Sequence, residues 1–201
     1  MAQVTIADVR RLEQEVIDAK KRFTEAVWAL PREAVADVTL RVAGSGAPVR
    51  LSELFGEKHD LLVVHNMGER CPYCTLWADG FASMYKHIAD RCAFVLTTPD
   101  EPAVAAAFAG ARGWTFPVVS HAGTDFAKQM GYEGEESTYG RFRPGISAFR
   151  KREDRSMVRT GTRSFGPGDD FCALWPMFDL LEGGAGEWAP KYHYSPRSPS
   201  R

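Results

Sequence analysis

An α/β domain, a central mixed sheet flanked by helices with a helical extension at its N-terminus, is what three features of the sequence predict. Between residues 60 and 113 short apolar runs alternate with helical stretches, the pattern of parallel strands joined by crossover helices. From residue 144 onward, two runs joined by a charged turn form an antiparallel hairpin. Ahead of both, apolar side chains recur at near-helical spacing from Ile6 to Leu30.

In chain order, Val9, Leu12, Val16, Ile17, Phe23, Val27 and Leu30 mark one long helix, with Pro31 as its stop. "DVTLRV", "AGSGAP" and "VRLSELF" follow as a strand, a Gly/Pro turn and a short strand or turn. "DLLVVHN" is a buried strand, "CTLWADGFASMYKHIAD" a helix, and "CAFVLTT" a second strand. "EPAVAAAFAGARG" is a helix with proline at its start and glycine after its end. "TFPVVS" is a short strand and "GTDFAKQMGY" a short helix closed by Gly131, while "EGEESTYGRFR" is a polar connection. "PGISAFRKREDRSMVRTG" is the hairpin entered at Pro144, with "RKREDR" its solvated turn. "DDFCALWPMFDLL" is a closing helix with acidic residues at its positive end. The tail "SPRSPSR" is too polar and proline-rich to fold and is expected to be disordered. The expected division is therefore an extension over 1–35, one domain over 36–194 and a tail over 195–201.

The 201 residues suffice for one well-buried domain. A hydrophobic content of 44% with 25% charged residues is that of a globular protein, and no run is long enough to span a bilayer. The net charge of −1 supplies no field that would attract nucleic acid or an acidic membrane surface. The first residues scatter charges where a secretory signal has an uninterrupted apolar segment, so the expected location is the cytoplasm, where thiols stay free.

The chemistry concentrates in "NMGERCPYCTLWADGF". Cys71 stands at the start of a helix, where unpaired backbone N–H groups and the helix dipole stabilise a thiolate; Cys74 is one turn further in and can reach back to the same sulfur. Pro72 at the first helical position costs no hydrogen bond and stiffens the turn. The pair can thus run dithiol–disulfide exchange, with Cys71 as nucleophile and Cys74 as resolving thiol. Two other readings stand beside it. A C-x-x-C is half a zinc site, although no second C-x-x-C or spaced histidine pair accompanies it, and two cysteines can simply be core residues. Cys92 and Cys172 are expected to be structural, and Trp77, Trp114 and Trp175 to be core or groove wall. His65 is a strand-end histidine within range of relaying a proton to Cys74.

The order β–α–β, helix, hairpin, helix resembles the thioredoxin fold, and individual segments carry the resemblance. "CPYC" sits where that fold keeps its dithiol. "RPGISAF" resembles the segment with a cis-proline ahead of the hairpin, which implies a cis Arg143–Pro144 bond and sets Arg143 facing the sulfurs. "VRLSELFG" and "FPVVSHAGTDFAKQMGY" look like peroxiredoxin segments. The leading helix, "WADGF", "GWTFPVVS", "PGIS" and "FCALWPMFDLL" together resemble a bacterial thioredoxin-like family catalogued as a domain of unknown function.

The resemblance implies a thiol–disulfide oxidoreductase whose substrate groove is formed by Pro72, Tyr73, Trp77, Arg143 and Pro144. It implies no bound cofactor and no metal. Its partners would be a protein or small-molecule disulfide or thiol and an unidentified reductant, with no nucleic acid and no membrane; a homodimer is left open. A redox-inert binding module and a thiol peroxidase are the alternatives. Peroxiredoxins share a T-x-x-C motif, and Gly68 stands at its threonine position. Glutaredoxins hold glutathione with a glycine pair and an acidic residue after the hairpin proline, where this chain has "RKREDR". Arg70 and Arg143 are both expected to favour the Cys71 thiolate.

Overall fold

The computed structural model describes residues 3–137 and 140–194. In chain order the elements are helix α1 (Ile6–Ala29), strands β1 (Glu33–Val35), β2 (Thr39–Val42) and β3 (Pro48–Arg50), a 3-10 turn at Glu53–Phe55, and β4 (Asp60–His65). There follow α2 (Pro72–Arg91), β5 (Ala93–Thr98), α3 (Pro102–Arg112), β6 (Val118–Ser120), α4 (Phe126–Gln129), β7 (Gly145–Lys151), β8 (Met157–Ser164) and α5 (Leu174–Phe178). The strands form one sheet in the order β1-β8-β7-β4-β5-β6-β2-β3. β4, β5 and β6 are parallel; β7 runs antiparallel to β4 and β8 antiparallel to β7, so the sheet is mixed.

Both faces of the central strands are covered, which is why their sequences are almost continuously apolar. Successive side chains point to opposite faces. Val64, Phe94 and Leu96 therefore pack with Trp77, Ala78 and Phe81 of α2, whereas Leu61, Val63 and Val95 join Leu40, Phe55, Phe126 and Phe149 on the other side. The β4–β7 register pairs His65 with Gly145, which brings the Pro144 turn alongside the strand end that leads into α2.

Several expectations change. β1 falls within the expected extension yet pairs with β8, so the sheet recruits residues before position 36. The closing helix is only Leu174–Phe178; Cys172 precedes it, and the Asp169 carboxylate accepts hydrogen bonds from the N–H groups of Phe171 and Cys172 in a turn of its own. The Arg143–Pro144 bond is trans, since no cis peptide occurs among the described residues. The hairpin entry is held by another device, the Phe165 N–H donating to the Pro144 carbonyl. Cys92 and Cys172 are buried. The tail over 195–201 lies outside the described residues.

Candidate active site

The loop between β4 and α2 is shaped by two side chains. The Asn66 side-chain oxygen accepts from the Gly68 N–H at 2.7 Å, and the Asp100 carboxylate accepts from the Glu69 N–H at 2.8 Å and from the Thr98 hydroxyl at 2.7 Å. Gly68 has φ of +102°, and a Cβ there would lie 2.9 Å from Asp100 Oδ1. Only glycine fits both the dihedral and the close approach. A threonine at this position, as T-x-x-C requires, would strain the backbone and displace the Asp100 carboxylate that holds the loop presenting Cys71.

Cys71 is the N-cap of α2. Its backbone is extended, its carbonyl accepts from the Thr75 N–H, and its sulfur accepts from the Cys74 N–H at 3.1 Å. It thus occupies the position where serine or aspartate usually satisfies the free N–H groups of a first turn. The Cys71 thiol is pushed below its ordinary value chiefly by the Cys74 thiol donating to it, with help from the N–H groups of Cys74 and Tyr73, and this outweighs its partial burial. Cys74 is 4% exposed, and burial and the neighbouring Cys71 push its thiol well up. The two cysteines are both free thiols. The asymmetry is that of an accessible thiol that ionises more readily than usual with a buried thiol that ionises less readily behind it, the order that attack followed by resolution requires.

The arginines do not contribute as expected. The Arg143 guanidinium donates to the carbonyls of Gly140, Phe142 and Glu135 in its own exposed loop, and the depression of Cys71 comes from the dithiol and the helix N-terminus, not from Arg70 or Arg143. Pro144 does reach the site, lining a narrow gap with His65, Asn66, Cys74, Trp77 and Phe165. Trp77 belongs to the core: it is 2% exposed with its ring on Phe165, so it floors the dithiol and is closed to substrate. Pro72 and Tyr73 are half-buried at the surface, the Tyr73 ring leaning on Trp77 and Trp175.

Two residues gain importance from the structure. His65 is 3% exposed, stacks on Tyr132 with ring centres 3.9 Å apart, and shares a 2.9 Å hydrogen bond between Nε2 and the Ser147 hydroxyl. Its Nδ1 is buried without a partner, and burial, reinforced by His121 and Arg159, holds the imidazole well below 6.5 and hence neutral. Tyr192 belongs to a segment remote in sequence. Its carbonyl accepts from Arg112 at 2.8 Å, and burial above all, with the dithiol nearby, raises its phenol pKa. With Glu69, Arg70, Phe108 and Arg112 it lines an open cleft of about 540 Å³ beside the dithiol loop. No local motif in "WAPKYHY" signals this placement, because the fold alone brings the segment back.

A family model described as "Bacterial protein of unknown function (DUF899)" matches residues 8–198. The chain belongs to this family. No curated protein matches it. Among solved structures, this DUF899 chain is similar to peroxidoxin BcpB of Mycobacterium tuberculosis at 25% identity, covering 66% of this chain and 84% of that one with a TM-score of 0.54. It is also similar to reduced Prx3 of Vibrio vulnificus in complex with hydrogen peroxide, at 13% identity over 70% of this chain and 90% of the other, TM-score 0.56. PrxQ of Xylella fastidiosa, in a cysteine-to-serine mutant form, matches at 14% identity over 64% and 84%, TM-score 0.54. These likenesses establish the thioredoxin-like fold.

Proposed function

We propose that this DUF899 protein is a thiol–disulfide oxidoreductase working through Cys71 and Cys74. The observation that carries the reading is the pair itself: a helix-capping thiol with lowered pKa whose sulfur accepts from the Cys74 N–H, with the buried Cys74 thiol one turn behind it. The Cys71 thiolate attacks a disulfide of a protein or small molecule, forming a mixed disulfide and releasing one substrate sulfur, which takes up a proton. Cys74 then loses its proton, attacks Cys71 Sγ and releases the second substrate thiol. The substrate is reduced by two electrons and the dithiol is oxidised to a disulfide, which an external dithiol reductant must return. Pro72, Tyr73 and Pro144 border the approach. The reading sets the protein in the reducing cytoplasm and needs neither nucleic acid nor membrane.

The test is thiol alkylation with mass spectrometry across glutathione or dithiothreitol buffers. The expected result is a reversible disulfide that protects Cys71 and Cys74 together, and a mixed disulfide trapped by Cys74→Ser. If both thiols stay alkylatable under oxidation, the fold serves as a redox-inert binding module. A thiol peroxidase is the second reading, favoured by the 25% identity to a peroxidoxin; Gly68 in place of the threonine weighs against it. Turnover of hydrogen peroxide at the rate of Cys71 oxidation would decide for the peroxidase.

A further inference from the structure

We propose that α1 pairs with α1 of a second copy of this chain as an antiparallel two-stranded coiled coil. This stands independently of the dithiol reading. α1 has no buried residue, and Val9, Leu12, Val16 and Ile17 are each about half exposed, an apolar stripe that the rest of the chain leaves open and that Phe23, half exposed beneath the Arg163 guanidinium, continues. From Ile6 to Ala19 every hydrogen bond and ion pair among the described residues stays within the helix or its cap. The body meets only the C-terminal half: Lys20 pairs with Asp170, the Arg163 guanidinium lies 4.4 Å from the Phe23 ring centre, and Val27 sits against Gly161.

The stripe keeps a seven-residue repeat. Val9, Val16, Phe23 and Leu30 fall at one heptad position, a, and Leu12, Ala19 and Ala26 at d, the pattern of a coiled-coil seam. Laying α1 antiparallel on a copy of itself with its ends in full overlap faces Val9 with Ala26, Leu12 with Phe23 and Val16 with Ala19. Every layer of the seam is then apolar, and the β-branched valines each meet a small alanine, so that large and small side chains interdigitate.

The flanking charges select the direction. In that antiparallel register Glu15 faces Arg22 of the second copy, and Glu13 faces Lys20, each pair occurring twice by symmetry. In the parallel register Glu15 would still face Lys20, but Asp8 would face Glu13, like against like, and Arg22 would face Val27. The charges also argue for a protein occupant over a membrane. α1 carries five acidic and five basic side chains, whereas helices that lie on anionic lipid are enriched in lysine and arginine. Lys20 would sit between its own Asp170 and Glu13 of the second copy, tying the seam to the body.

Sedimentation equilibrium of the full chain tests this, with a dimer of twice the 22.3 kDa monomer mass expected at micromolar concentration. Val16→Glu, at a position outside the core, should give a monomer with unchanged thiol titration. Glu15→Arg and Arg22→Glu should each weaken the dimer roughly tenfold, because each turns two attractive contacts repulsive. The double variant should restore it. A wild-type chain that stays monomeric overturns the proposal, as does a dimer indifferent to Val16→Glu. Failure of the double variant to restore association overturns the antiparallel arrangement. Monomeric binding to phosphatidylglycerol vesicles, lost in Val16→Glu, would assign the stripe to a membrane surface instead.

Discussion

At the scale of the residue, the dithiol works by asymmetry. The Cys74 S–H is the main cause of the lowered Cys71 pKa, so its removal should be read at Cys71. Cys74→Ala should shift the pH midpoint of iodoacetamide alkylation of Cys71 upward, Cys74→Ser should shift it less because a hydroxyl can donate in place of the thiol, and Arg143→Ala should leave it in place. A midpoint unmoved in Cys74→Ala would mean that the helix N-terminus alone holds the thiolate. His65 makes a second prediction. Its folded pKa lies well below the 6.5 of a free imidazole, so below about pH 6.5 the unfolded chain binds a proton that the native chain does not. Stability should therefore fall as pH drops through that value, by up to about 1.4 kcal/mol per pH unit for this residue. Urea midpoints measured between pH 5 and 8 check the slope, which should flatten in His65→Gln.

At the scale of the element, β7 begins at a point of forced closeness. A Cβ on Gly145 would overlap the Tyr132 ring and the Arg163 carbonyl oxygen, and the Tyr132 hydroxyl already bonds the Ile146 and Arg163 carbonyls at 3.1 Å. Gly145→Ala must push either the ring or strand β8 aside, a cost of about 1–3 kcal/mol by analogy with overpacked cores. Gly161→Ala on β8 is the matched control, since its Cβ would meet Val27 Cγ1 at 3.5 Å, an ordinary contact. Urea unfolding should show a lower midpoint at unchanged m-value for the first variant and almost no change for the second. Equal effects would mean that backbone entropy, and not the ring, sets the cost. Helix α2 shows the same economy: its N-cap is the cysteine at the site, so the group that ends the helix is also the group that reacts.

At the scale of the whole molecule, Arg112 ties three distant segments. From the end of α3 its guanidinium grips Asp79 of α2 and donates to the Tyr192 carbonyl, while Trp114 Nε1 donates to the same aspartate at 2.8 Å. Arg112→Lys keeps the charge and loses the planar fork, and hydrogen bonds to charged groups contribute about 1.5–3 kcal/mol. The segment after Trp188 should then detach locally. Limited proteolysis should cut it faster than in the wild type, and Cys71 should be alkylated faster as Tyr192 leaves the cleft. Faster proteolysis with unchanged alkylation would separate the C-terminal segment from the site.

The sequence by itself determined the strands and helices of the sheet's centre, the position of the C-x-x-C at a strand-to-helix junction, and the hairpin after Pro144. Each rests on local physics: period-2 or helical burial, a proline tolerated in a first turn, a charged turn between apolar runs. The seven-residue repeat of α1 was equally present in the residues, but only the tertiary structure shows that the body meets its C-terminal half alone and that no residue of the helix is buried. The fold also decided where remote groups come together. It turned Arg143 toward its own loop, sent Trp77 into the core, recruited β1 to the sheet edge and returned Tyr192 to the dithiol. Those outcomes depend on which surfaces remain free once the sheet and its helices have packed, and that is a property of the whole chain's burial that no local window contains.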